Sequence, residues 1–292
     1  MSIPMNSQCL SCRVNRILNT VRPLGTEEQT TEFIKRWMGQ AATYPKEISS
    51  ATCGYHTDRL AEEFYGICLA DLMKEEREQS NRFVMERLDH IRNRVSGVED
   101  PIFGALQYAI LGNYLDFAAL QGRVSFAELD AMLDKAKEIQ LDGEIVARFK
   151  ADLHKGKKVL LITDNAGEIG FDRILAETLQ QEYPHLEITF CVRGRPVAND
   201  ATREDAQAVG ISFPIIDSGC AVGGTDIALL GDAAKKALKE ADVVIAKGMG
   251  NTESMYGCGY NVYYAFLVKC QRFADFFKAP MMQAMFIRDQ KS

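Results

Sequence analysis

Histidine is scarce in this chain. Four stand among 292 residues (His56, His90, His154 and His185), and none lies in the glycine-containing segments where chemistry is expected. That argues against a His-rich zinc site and against a Ser-His-Asp arrangement. A Walker A loop, a dinucleotide GxGxxG and a nucleophile elbow are also missing. Basic residues are not in excess: 34 Lys and Arg face 40 Asp and Glu, a net charge of −6 with a pI near 5.4. Nucleic acid and anionic membranes demand basic faces, so neither is an expected partner. No apolar run approaches the roughly 18–20 residues that span a bilayer. The opening MSIPMNSQCLSC lacks the apolar core of a signal peptide, which gives the expectation of a cytoplasmic protein. Internal repeats and low-complexity tracts are absent as well.

What is present suits a folded chain with a substantial core. Apolar residues make up 47% and charged residues 25%, ordinary for a globular protein. The length fits two domains or one large one. Without an export signal the eight cysteines are expected as reduced thiols. Those in apolar runs, such as Cys191 in ITFCVR, read as small buried hydrophobes. Cys9-x-x-Cys12 differs. It is half a zinc site, which Cys53 and one further ligand would complete in a non-catalytic metal-binding module.

The pattern changes near residue 150. From Glu27 to about Arg148 the chain is rich in helix formers. GTEEQTTEFIKRWMGQ places Phe33, Ile34, Trp37 and Met38 at helical spacing, and residues 57–95 predict one long helical stretch broken near Asp71. Asp100-Pro101 opens an apolar helix predicted to run to Leu120, and Ser125 with Glu128 forms a capping-box pattern. Beyond Lys155, the short β-rich runs VLLIT, LEITFCVR, ISFPIID and ADVVIAKG alternate with helical segments. Such alternation indicates βαβ units in a parallel sheet. The expected fold class is therefore α/β: a Rossmann-like, mostly parallel sheet flanked by helices (residues 151–292), preceded by an all-helical domain (1–150).

In an open α/β sheet, ligands bind beyond the carboxyl ends of the strands. Four predicted strand exits carry polar, glycine-containing segments: Asp164–Glu168, Arg193–Thr202, Asp217–Gly219 and Lys247–Glu253. Asp164, Asn165 and Asp200 supply hard oxygen donors, two carboxylates and one amide, a set that suits Mg²⁺ or Mn²⁺ and also admits Co²⁺ or Ni²⁺. Lys247 and Arg193 add positive charge for a phosphate group. Each feature has a plainer alternative. Asp164 and Asp200 are also ordinary helix N-caps, Asn165 with Gly167 an ordinary turn, Lys247-Gly248 an ordinary strand exit, and Asp217 a turn residue.

At these residues the chain resembles the damage-control phosphatases of the DUF89 family. DNAGE at 164–168, RGRPVANDAT at 193–202 and KGMGNTE at 247–253 carry the resemblance. GNYLDF at 112–117 and the LVKC segment ending at Cys270 extend it, and Cys9-x-x-Cys12 resembles the prokaryotic branch. The resemblance implies a helical part packed on a Rossmann-like core, and divalent-metal-dependent hydrolysis of small phosphate esters such as sugar phosphates or damaged phosphometabolites. It places the metal on Asp164, Asn165 and Asp200 and a phosphate contact on Lys247. Asn113 and Asp116 match a motif in the helical part that reaches the substrate, and Glu168 and Asn251 are motif positions. Such a metal would polarise phosphorus and favour in-line attack of water. A covalent intermediate on Asp164 is the less economical route. A different class, an S-adenosylmethionine-dependent carboxyl methyltransferase, would use the same kind of sheet. It lacks its usual glycine-rich first loop here and leaves the oxygen donors without a task.

Overall fold

The computed structural model describes residues 2–116 and 125–289. The apolar runs of the second half form strands β1 (Lys158–Ile162), β2 (Glu187–Val192), β3 (Ile215–Asp217), β4 (Val243–Lys247), β5 (Val262–Leu267) and β6 (Ala284–Arg288). They make one sheet in the order β3-β2-β1-β4-β5-β6. All neighbours run parallel except β5 and β6, which are antiparallel. The chain direction across the sheet reverses between β1 and β4. The crevice above their carboxyl ends is therefore the topological switch point where such folds bind ligands.

Thirteen α-helices stand among the described residues. They are α1 (Ser7–Val21), α2 (Glu27–Ala41), α3 (Ser50–Tyr65), α4 (Lys74–Met85), α5 (Leu88–Ser96), α6 (Pro101–Gly112), α7 (Phe126–Asp134), α8 (Gly143–Lys155), α9 (Glu168–Glu182), α10 (Arg203–Ala208), α11 (Asp232–Glu240), α12 (Gly248–Met255) and α13 (Gln271–Phe277). The sheet is buried on both faces. Val159, Leu161, Phe190 and Ile245 pack with α6 and α9 on one side. Leu160, Ile162, Val244 and Phe266 pack with α11 and α13 on the other. Strands covered twice must be apolar at every position, which is why these runs do not alternate.

The helical half is not one block. Helices α4 to α8 contribute Val84, Ile91, Leu106 and Phe149 to the same core as the sheet, so that core crosses residue 150. Helices α1 to α3 have a smaller cluster of their own around Phe33, Trp37 and Cys53. Trp37, the sole tryptophan, donates its indole N–H to Thr57 at 2.9 Å inside it.

Three expectations about the elements need correction. The stretch 57–95 breaks twice, once after Gly66, a left-handed helix cap, and again between Met85 and Leu88. The helix from Pro101 ends at Gly112 rather than Leu120. Asn113 leaves the helix because its side chain and carbonyl are both held by other elements. Residues 117–124, including Phe117 of the 112–117 motif, lie outside the described residues. Finally, the helical segment expected between the ISFPIID and ADVVIAKG runs begins only at Asp232. Thr225 and Asp226 are engaged by Asn251, Ser254 and Thr52 and cannot join a helix. Helix α1, which the sequence reading left unassigned, is capped by Asn6 accepting from the Cys9 N–H.

Candidate active site

The β1 exit enters the switch point as a fully buried segment, Thr163 to Gly167. Two glycines make this possible. Gly167 has φ +76°, and a Cβ there would stand 2.8 Å from Ser80 and Leu115. Gly248, at the exit of β4, has φ +78°, and a Cβ there would meet Asp164 Oδ2 at 1.9 Å. Only a residue without a side chain lets the Asp164 carboxylate lie against the start of α12. The Asn81 side chain on α4 fixes the loop from behind, accepting from Gly167 N and donating to Asp205.

Asp164 and Asp200 come together across this loop, where Asn165 and Asp200 form an isolated bridge. Arg193 lies beneath both. Its Nε is 2.6 Å from Asp200 Oδ2 and its Nη2 3.6 Å from Asp164 Oδ1. Neither aspartate is an N-cap: α9 is capped by Gly167 and α10 by Thr202, whose partner is Asp205. The capping alternative therefore falls. Asp217 keeps its plain role, accepting from Gly219 N and facing the half-exposed Arg203.

Behind the carboxylates lies a closed polar scaffold. Asn113 donates to Asp164 Oδ2 at 3.0 Å and Glu168 Oε2 at 2.9 Å, and accepts from Leu267 N. Asn165 donates to the same two carboxylates. Its carboxamide oxygen accepts from Asn199. Asn251 ties three strand exits together. It accepts from Arg193 and Thr225, and donates to the carbonyls of Thr163 and Lys247. Lys247 is wholly enclosed. Its ammonium meets Ala109 O and Glu168 at 2.7 Å and Asp172 at 2.8 Å. It points into α6 and α9, away from the cleft. The direct phosphate contact expected of Lys247 is not in reach while those bonds stand. Asn251 is likewise committed to protein groups, whereas Arg193 keeps one buried nitrogen, Nη2, without a hydrogen bond.

A second enclosed lysine, Lys269, stands just beyond β5 on the Asp116 side of the site. Its Nζ binds Asn113 O at 2.7 Å and Asp116 Oδ2 at 2.6 Å. Its charge reaches Asp164. Lys269 stands in the LVKC segment at the fifth strand exit, beyond the four exits that carry the glycine-containing segments. Applied once more, the same rule would have found it. Asp172 was legible too, one helical turn after Glu168 on the same face of α9.

The electrostatics follow from burial. Desolvation pushes the Asp164 carboxyl well above the ordinary range, and the charges of Asp200 and Glu168 add to the effect. Asp200 is raised to about 6 by burial, with Arg193 opposing. Burial would lower Lys247, but Asp172 and Glu168 outweigh it and hold the ammonium above its usual range. Counted as ionised, five acidic side chains (Asp116, Asp164, Glu168, Asp172 and Asp200) meet three basic ones (Arg193, Lys247 and Lys269), a formal surplus of two negative charges that a bound cation would stabilise against protonation. Oxygen donors with a surplus of two charges fit a divalent cation.

Cys9, Cys12 and Cys53 do not gather as the alternative zinc site would require. Among the described residues no three His, Cys, Asp or Glu side chains gather at metal-ligating spacing, and all eight cysteines are free. No described helix is long and apolar enough to cross a membrane.

A model of the damage-control phosphatase ARMT1-like domain matches residues 5–285, nearly the whole chain. The chain belongs to this family. A relative from Archaeoglobus fulgidus, named a damage-control phosphatase, is 29% identical over 85% of each chain. A damage-control phosphatase of Pyrococcus horikoshii is 30% identical over 60% of this chain and 61% of its own. An uncharacterised protein of Methanocaldococcus jannaschii is 27% identical over 94% of this chain and 92% of its own. The crystal structure of a DUF89 family protein from Pyrococcus horikoshii superposes with a TM-score of 0.84 at 24% identity, covering 98% of this chain and 99% of that one. That likeness shows the fold: an α/β protein with a mostly parallel sheet, as the strand pattern indicated. Phosphatase activity is the function named for this family's members.

Proposed function

We propose that this damage-control phosphatase family member is a divalent-metal-dependent phosphomonoester hydrolase acting on small phosphorylated metabolites. The observation that carries the reading is the charge surplus at the switch point, where the buried carboxylates of Asp164 and Asp200 face each other and the protein's own cations leave them under-neutralised. Asp164, Asp200 and the Asn165 amide would hold Mg²⁺ or Mn²⁺, with Co²⁺ or Ni²⁺ also compatible with the donor set. A cation held there would draw charge from the phosphoryl oxygens and favour attack of water on phosphorus. The chain's own groups divide the remaining work. Asn113 and Arg193 fix the two carboxylates in place. Lys269, paired with Asp116 and close enough to act on Asp164, would supply an ammonium to a phosphate oxygen on exchanging that pair, where charge builds up during phosphoryl transfer. Burial of the whole ensemble keeps these dipoles oriented before the substrate arrives.

The test is hydrolysis of para-nitrophenyl phosphate with each divalent metal in turn. Asp164→Ala should lower turnover by at least about 10²-fold while the circular dichroism spectrum stays that of the parent. Near-normal turnover in that variant would sink the proposal.

A further inference from the structure

The connection from β3 to α11, residues 218–231, is a closed loop that crosses the site. Gly231 N donates to Ser218 O at 2.9 Å, so the loop leaves and returns at one point. Long closed loops in a compact fold commonly carry function. The middle of this one is pinned to the switch point. Gly224 O accepts from Arg193 Nη1 at 3.0 Å, Thr225 Oγ1 donates to Asn251 Oδ1 at 2.8 Å, and Thr225 N donates to Ser254 Oγ.

Packing does not require glycine at position 223. A Cβ added at Gly167, Gly224, Gly248 or Gly250, the other glycines of the site, would stand 2.8 Å or less from another atom. At Gly223 it would meet only Val197 Cγ2 at 3.7 Å and Asp200 Oδ2 at 4.0 Å, which are ordinary contacts, and φ there is not positive. The fold would accept alanine and gain from the smaller entropy of the unfolded chain. What the bare Cα keeps open is the space beside the Asp200 carboxylate. Glycine in such a place suits the close approach of a ligand to the backbone.

The adjoining amides point the same way. Neither Gly223 N nor Gly224 N has an acceptor among the described residues, although Gly224 is buried. Buried N–H groups are rarely left orphaned. The direction of the second can be worked out. A Cβ on Gly250 would lie 2.1 Å from Gly223 O and 3.1 Å from Gly223 C, so that carbonyl aims at α12. The peptide is trans, which turns Gly224 N–H away from α12. A further buried donor lies close by. Arg193, whose Nη1 holds Gly224 O, has its Nη2 without a hydrogen bond and 3.6 Å from Asp164 Oδ1. Unspent amide and guanidinium donors beside a bare Cα suit a tetrahedral oxyanion.

We propose that this loop is the phosphate seat of the site: the N–H groups of Gly223 and Gly224 receive oxygens of the transferred phosphoryl group, and the bare Cα of Gly223 sets how closely that group approaches Asp200. The proposal rests on the phosphatase reading for the identity of the anion. It gives the main chain a task that further cations would spoil. Amide dipoles carry no net charge, so they hold an anion beside Asp164 and Asp200 without neutralising the carboxylates that a metal needs.

Gly223-Gly224 is the one Gly-Gly pair in the chain, which makes the Gly224 amide addressable. Protein grown on glycine labelled with carbon-13 at the carbonyl and with nitrogen-15 gives one carbonyl-filtered amide signal, that of Gly224. With Mg²⁺ present, inorganic phosphate should move that signal, with a midpoint equal to its inhibition constant against para-nitrophenyl phosphate. Gly223→Ala should melt no lower than the parent, keep its Mn²⁺ affinity in calorimetry, and lose about 10²-fold in kcat/KM. A Gly224 signal that stays still at inhibiting phosphate concentrations overturns the proposal. So does normal turnover in Gly223→Ala. A fall in Mn²⁺ affinity that accounts for the lost turnover overturns it too, since the glycine would then make room for the cation alone. Should Gly223→Ala fold poorly, the Gly224 signal decides by itself. If no ester is hydrolysed with any metal, the phosphatase reading fails separately. The anion seat then stands if phosphate moves the Gly224 signal to saturation, and falls if it does not.

Discussion

Replacing Lys247 by Met isolates what the buried scaffold does. The ammonium is fully enclosed and holds two carboxylates, Glu168 at 2.7 Å and Asp172 at 2.8 Å. Methionine keeps most of the volume and removes the charge, leaving two acids facing each other out of reach of water. Removing one partner of a buried ion pair costs about 3–5 kcal/mol. For a chain of this size that corresponds to a fall in melting temperature on the order of 10 °C. The loss should depend on pH, and its sign can be worked out. In the parent, burial raises Asp172 to about 7 although Lys247 opposes it. A carboxyl raised above its unfolded value makes the fold lose stability as pH rises from the unfolded pKa towards the folded one. In the parent that loss from Asp172 is complete near pH 7. Without Lys247 the folded value moves higher still, so the variant keeps losing stability above pH 7. Melting curves at pH 6 and pH 8.5 should therefore show a wider deficit at pH 8.5. A variant that melts within about 2 °C of the parent at pH 8.5 would refute the buried triad.

Other substitutions separate the remaining roles. Lys269→Met removes the ammonium paired with Asp116 and should lower kcat by about 10²-fold in a para-nitrophenyl phosphate assay; an unchanged kcat would remove Lys269 from phosphate binding. Gly248→Ala places a methyl where Asp164 Oδ2 stands, 1.9 Å away, in a backbone conformation that L residues rarely adopt. Turnover should fall by well over tenfold with a destabilisation of roughly 1–3 kcal/mol, read by activity and denaturant titration together, and normal turnover would contradict the packing of that carboxylate on α12. Asp58 is raised to about 6 chiefly by burial, so its ionisation opposes folding above that pH. Asp58→Asn should therefore raise the melting temperature at pH 8 and change it less at pH 5. An equal shift at both would show that the carboxyl is not held out of water.

Much of the fold was written in the chain because its signals are local. Apolar runs such as Val159–Ile162 bounded by glycine and polar residues can scarcely form anything but doubly covered strands. The site's front was legible by the same logic, because strand exits converge on one edge whatever the helices do. The direction of each charged head was not. Lys247 and Lys269 both leave strands towards that edge, and sequence cannot say that Lys247 turns back into α6 and α9 while Lys269 faces Asp116. That choice depends on Asp172 and on the Ala109 carbonyl, groups brought in by packing over 75 to 138 residues of chain.

The arrangement of charge explains why this site needs so many fully buried polar residues. Carboxylates aimed at a cation repel one another, and left alone they would rise in pKa and take up protons instead. Arg193 from beneath, and Lys247 through Glu168, supply positive charge from enclosed positions behind the acids. The scaffold thus limits repulsion without neutralising the front. Cations at the surface would fail at this task, since they would be screened and would pair with the substrate's own phosphate. Depth therefore assigns function here: buried basic groups hold the acids in place while leaving the front of the site negative.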